Sequence, residues 1–162
     1  MSKLASVLIR ESPASLDEAE ALCKKCLKLN PKDPHATLLL AKLLDKKNLH
    51  TEAIEAYNAA LRLNSESKGS PPPKPTLFFS LGCVYEKSKD FKKAVLNYKK
   101  CLTLDPKHFG SCIHLANLLA NVGEGQRAAK YFKHALKILT EDPKAAPIDG
   151  IINAYFGLGK TL

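Results

Sequence analysis

The sequence predicts an all-α chain of stacked, antiparallel helix pairs, and three observations carry that prediction. A stretch of 34 residues recurs three times without gaps, at 34–67, 75–108 and 109–142. Apolar residues within each copy fall at helical spacing. Each copy is broken once, near Lys47–Asn48, Lys87–Asp90 and Gly123–Gly125, so it folds as two helices rather than one. A lone hairpin of this kind cannot hide its apolar face, and stacking against neighbours is what creates a core. The composition agrees, since 45% hydrophobic and 25% charged residues over a length of 162 describe a folded chain rather than a disordered one.

In chain order, residues 2–10 are expected to form a short first helix that ends before Ser12–Pro13. Residues 16–31 form a second, with Ala19, Cys23, Cys26 and Pro31 in register with the copies that follow, which makes a first unit of about 1–33. Ser15 with Glu18 three residues later is a capping box for that second helix. The full copies share adjacent apolar and small residues (Leu40–Ala41, Leu81–Gly82, Leu115–Ala116), then a bulky residue at Leu44, Tyr85 and Leu119. Ala53, Ala94 and Ala128 follow, then an aromatic at Tyr57, Tyr98 and Phe132, then Ala60, Cys101 and Ala135. Small residues let paired backbones approach, and the aromatic fills the gap between successive hairpins.

Two insertions interrupt the period. Residues 68–74 (KGSPPPK), with Pro75, hold four prolines in five positions, which favours an extended polyproline stretch and forbids helix. Pro72-x-x-Pro75 reads there as a stiff connection rather than as a ligand for an SH3-type domain. Residues 143–151 precede a last helix at about 147–162, which Pro147 can open. Tyr155, Leu158, Gly159 and Leu162 match first-helix places of a further unit, so the chain is expected to be a piece of a longer solenoid or one capped unusually.

The spacing of small and aromatic places at a 34-residue period resembles the tetratricopeptide-repeat family over nearly the whole chain. That resemblance implies one domain over 1–162 with the form of a right-handed α-solenoid, whose first helices line a concave groove and whose second helices form the outer wall. Carried over place by place, the groove would show Leu38, Leu39, Lys42 and Lys46, then Phe79, Ser80, Cys83 and Lys87. It would continue with Ile113, His114, Asn117 and Asn121, and then Asn153, Phe156 and Lys160. Leu38, Phe79, Ile113 and Phe156 hold one equivalent place and are expected to form an apolar column on which a peptide segment of another protein docks. The family's carboxylate clamp is not matched, because its places hold Leu38, Lys42, Ser80, Gly110 and His114, and the register one unit earlier fares no better. Its asparagine ladder is replaced by Leu39, Ser80 and His114.

The net charge of +9 is unevenly placed. Residues 68–108 carry nine basic and three acidic residues, two-thirds of the whole excess, which argues for a local basic face. Lys92, Lys93, Lys99 and Lys100 fall on neighbouring faces of one second helix, outward on the convex wall by the family geometry. They are expected to form a solvated face, with an acidic protein, RNA or a phosphoinositide in an anionic membrane as the sharper reading.

Other chemistry finds little support. Cys23-x-x-Cys26 has no second ligand pair for zinc and sits at packing places of the unit. Gly157-Leu158-Gly159-Lys160-Thr161 lacks the earlier glycine of a phosphate loop. No catalytic arrangement, metal or cofactor is called for, and five cysteines without a secretory signal suggest a reducing, cytoplasmic setting. The expected function is a non-enzymatic scaffold that binds a peptide of another protein, the acidic-partner or nucleic-acid surface and the substrate-recruiting arm of a larger enzyme being the alternatives.

Overall fold

The computed structural model describes residues 16–66, 71–142 and 147–161. The expected helix at 2–10, the Ser15 cap and residues 67–70 and 143–146 lie outside them. Eight helices and no strand occur among the described residues, giving an all-α helical-repeat fold. They are α1 (Leu16–Leu29), α2 (Pro34–Lys46), α3 (His50–Glu66), α4 (Lys74–Lys87), α5 (Phe91–Leu104), α6 (Phe109–Asn121), α7 (Gly125–Glu141) and α8 (Ile148–Thr161). The chain divides into two compact units, residues 1–89 and 90–162.

The helix ends follow from local chemistry. Asp33 caps α2 by accepting hydrogen bonds from the His35 and Ala36 amides, and Pro34 occupies the first turn, where no amide hydrogen is needed. Asp90 accepts from the Lys93 amide at the start of α5, and His108 from the Ser111 amide at the start of α6. Three turns then reverse the chain at one repeating place, fourteen residues after Pro34, Pro75 and Phe109. There Asn48, Lys89 and Gly123 adopt φ of 60°, 62° and 80°. After α2 the Asn48 amide donates to Asp45 O and the Leu49 amide to Leu44 O. The same pair of bonds follows α6, from Gly123 to Ala120 O and from Glu124 to Leu119 O. This left-handed cap satisfies carbonyls that the helix end leaves open.

In the first unit, α2 packs against α1 and α3, and α3 against α4. Its main core joins Leu38, Ala41, Ala53, Tyr57, Ala60, Leu77, Leu81 and Val84, while Ala19 and Leu43 form a smaller one between α1 and α2. In the second unit, α6 packs against α5, α7 and α8, and α7 also against α8. The small places Ala41, Ala53, Ala60, Ala94, Cys101, Ala116, Ala128 and Ala135 are all fully buried, and so are Tyr98 and Phe132. This is the close backbone approach that their size permits.

The proline-rich insertion ends one residue earlier than its sequence suggests. Pro71, Pro72 and Pro73 are non-helical, but α4 begins at Lys74 and takes Pro75 into its first turn. The Pro72 carbonyl accepts a bond from Asn64 Nδ2 and Pro72 itself is buried, so this proline serves packing, while Pro73 is exposed. The last helix, expected from about 147, begins at Ile148, so residues 148–151 of the second insertion form the first turn of α8. That helix buries Ala154, half-buries Ile151 and Leu158, and leaves Ile148, Ile152, Tyr155 and Phe156 exposed.

Candidate functional site

Candidate binding residues of the first unit lie on α2 and α4. Lys46 and Lys87 are exposed, while Lys42, Phe79, Ser80 and Cys83 are half-buried. The Lys87 ammonium binds both carboxylate oxygens of Asp45, at 2.7 and 2.8 Å, and ties the last turn of α4 to the last turn of α2. Leu38, expected in an exposed column, is only 8% exposed and belongs to the core with Leu77 and Leu81. Ile113 of the second unit is 5% exposed in the same way, because α6 is flanked by three helices. Phe156 stands open at 61%, with the Lys160 ammonium 4.3 Å from its ring centre. The equivalent places are thus unequal, since each side chain is covered by whatever its own neighbours supply.

Ser80 and His114 have a task that their groove assignment overlooked. Both stand at the sixth place of their unit, and each meets the aromatic of the unit before. The buried Tyr57 hydroxyl is hydrogen-bonded to the Ser80 hydroxyl. The buried Tyr98 hydroxyl lies 3.3 Å from His114 Nδ1, with ring centres 5.3 Å apart. Where the aromatic is Phe132, which has no hydroxyl, the same place holds Gly157, and a Cβ there would overlap the Phe132 ring. A buried phenol needs a polar partner, whereas a bare ring needs room. The signal was present in the sequence as a matched set: Tyr with Ser, Tyr with His, Phe with Gly.

In the second unit, Lys92, Lys93, Lys99 and Lys100 are all exposed on α5. Lys93 pairs with Asp90 at 2.8 Å, closing the first turn of its own helix. Lys92 and Lys99 instead border a cavity of about 460 Å³, which Val95 of α5 and Leu118, Asn121 and Val122 at the end of α6 also line. Asn121 and the two lysines were assigned to opposite walls by the repeat pattern, yet they surround one space. Glu124 and Arg127 complete its rim and are hydrogen-bonded to each other.

Three of the five cysteines are buried, Cys23 in the first unit and Cys101 and Cys112 in the second. Burial pushes the Cys23 thiol up to about 11 and Cys112 to about 12, and it raises Cys101 as well, so these thiols stay neutral and pack as small hydrophobes. Gly157 to Lys160, which echo a phosphate loop, are helical within α8. No cluster suited to a metal ion occurs among the described residues, and no described helix is long and apolar enough to cross a membrane.

Comparison with known proteins agrees with this geometry. The chain is 29% identical over 153 residues to the protein O-mannosyl-transferase TMTC3 of Homo sapiens, covering 94% of this chain and 15% of that protein. It is 28% identical over 132 residues to a CTR9 homolog of Arabidopsis thaliana, covering 82% of this chain and 11% of that protein. The chain therefore spans a small fraction of the length of the curated relatives it matches. Among solved structures, YrrB, described as a TPR protein with an unusual peptide-binding site, superposes with a TM-score of 0.69 at 23% identity, over 99% of this chain and 77% of that one. The APC/C hetero-tetramer Cut9–Hcn1 gives 0.75 at 19% identity, over 92% and 27%. Tetratricopeptide-repeat models match residues 15–67, 75–108 and 111–146, and the chain belongs to the tetratricopeptide-repeat family.

Proposed function

We propose that this chain is a non-catalytic interaction module, and that it binds a peptide segment of another protein on the first helices of its repeats. The reading rests on one observation above the rest: Phe79 on α4 is only half-buried and shares its helix with half-buried Cys83 and exposed Lys87. An aromatic that is partly open supplies an apolar anchor, and binding energy concentrates in a few such anchors. Lys42 and Lys46 of α2 favour acidic residues beside the anchor and act mainly on the rate of association.

Panning a randomised peptide library against the chain, followed by calorimetry of the selected peptides, tests this. Phe79→Ala is expected to weaken a selected peptide by roughly 1–3 kcal/mol and to leave the melting temperature within a few degrees of the parent. Lys42→Ala weakens it less, and mostly at low salt. Unfolding of Phe79→Ala marks the ring as core, and unchanged affinity in a folded variant removes α4 from the site. A second reading, an arm that presents substrates to a larger enzyme, draws support from the O-mannosyl-transferase relatives, which match nearly all of this chain within a much longer protein.

A further inference from the structure

The cavity bounded by α5, α6 and α7 leaves apolar surface open that the repeat does not need open. Phe91 at the start of α5 is 46% exposed and Val122 after α6 is 66% exposed, and both line the same space as Val95. At about 460 Å³ it lies within the size range of ligand-binding clefts and has room for one or two large side chains. Its charge is one-sided. Glu124 is the single acidic residue of the lining and is already bonded to Arg127, which leaves Lys92 and Lys99 as surplus cations. These two lie seven residues apart on one face of α5, about 10 Å along the helix axis. In an extended chain of the polyproline-II kind, with three residues per turn at about 3.1 Å each, carboxylates three residues apart share a face and span nearly that distance.

The geometry points to a docking site for an extended acidic segment of a partner protein, seating an apolar side chain in the cavity between two carboxylates that meet Lys92 and Lys99. Asn121 at the cavity edge supplies an amide for the peptide backbone. The apolar lining between the two cations, from Phe91, Val95, Leu118 and Val122, suits recognition of a peptide side chain. The site shares no residue with the α2 and α4 surface, so the two readings stand or fall separately.

A fluorescein-labelled probe, Gly-Ser-Glu-Leu-Phe-Glu-Ser-Gly, titrated with the full 162-residue chain and read by anisotropy, tests the proposal. Saturable binding is expected, weakened at least tenfold by Lys92→Glu with Lys99→Glu and similarly by Val122→Asp, and unaffected by Phe79→Ala. Replacing Leu-Phe in the probe by Ser-Ser is expected to abolish it. Circular dichroism checks that each variant is folded, and Lys92→Ala with Lys99→Ala replaces the charge reversal if that variant is not. Absence of saturable binding, equal binding of the Ser-Ser probe, or unchanged affinity in the folded lysine and Val122 variants overturns the proposal. So does binding of polyuridine or of phosphatidylserine vesicles in place of the probe.

Discussion

Glycine and histidine side chains make the sharpest residue-scale claims. Gly157 faces Phe132, and the ring leaves no space for a methyl group, while Gly159 two positions later has nothing within 4 Å of its Cβ site. Alanine ordinarily strengthens a helix over glycine by about 0.5–1 kcal/mol. Gly159→Ala is therefore expected to stabilise α8 by about that amount, and Gly157→Ala to destabilise the chain by about 1–3 kcal/mol through overpacking. Urea melts of the two variants check the opposite signs, and a stabilising Gly157→Ala refutes the contact. His108 carries a second claim, because its ring accepts the Ser111 amide bond that caps α6 and so must be neutral there. Burial lowers its pKa below the ordinary 6.5, with Asp105 opposing the shift and His114 adding to it. The unfolded chain then binds more protons than the folded one between the two values, so stability rises with pH across that window. The contribution is complete above about pH 6.5 and is lost as pH falls through the folded value. His108→Ser keeps a capping oxygen without titrating, and it is expected to lose less melting temperature than the parent between pH 7.5 and 5. An equal loss in both proteins shows that other groups set the acid response.

The turns are the informative elements. Asn48, Lys89 and Gly123 hold one left-handed place, and the three residue types tolerate it unequally. Glycine has no Cβ penalty there and asparagine a reduced one, whereas a lysine bears about 1–2 kcal/mol of steric cost. Lys89→Gly is expected to stabilise the chain by about 1 kcal/mol, and Gly123→Lys to destabilise it by a similar amount or more. Thermal melts of both variants check this, and a destabilised Lys89→Gly shows that the lysine side chain does more than fill a turn. These ends were legible beforehand because caps and left-handed turns depend on residues within four positions of each other. The start of α8 was legible as well, to within one residue of its observed place. Pro147 pointed to it, but α8 is held by contacts to α6 and α7, among them Gly150 beneath the Phe109 ring.

At the scale of the molecule, charge is the property that composition states and structure distributes. Reversing Lys92, Lys93, Lys99 and Lys100 to Glu changes two charges at each of four sites and takes the formal net charge from +9 to +1. All four side chains are exposed, so helix content and melting temperature are expected to change little, while the protein loses retention on a cation exchanger and gains self-association at neutral pH. Light scattering and circular dichroism check both halves; unfolding shows that the lysine stems support the fold. What the amino-acid order settled unaided was the 34-residue period, the helix pairs, the turns between them and the small and aromatic places that pack. Each follows from periodicity or from neighbours a few residues away. What waited for the three-dimensional arrangement was the use of each surface place. Ser80 and His114 became partners of buried tyrosines, Leu38 and Ile113 entered the core while Phe156 stayed open, and Asn121 came to share a cavity with Lys92 and Lys99. Burial, hydrogen-bond partnership and enclosed space are set by atoms distant in the chain, and no repeat pattern states which of them will meet.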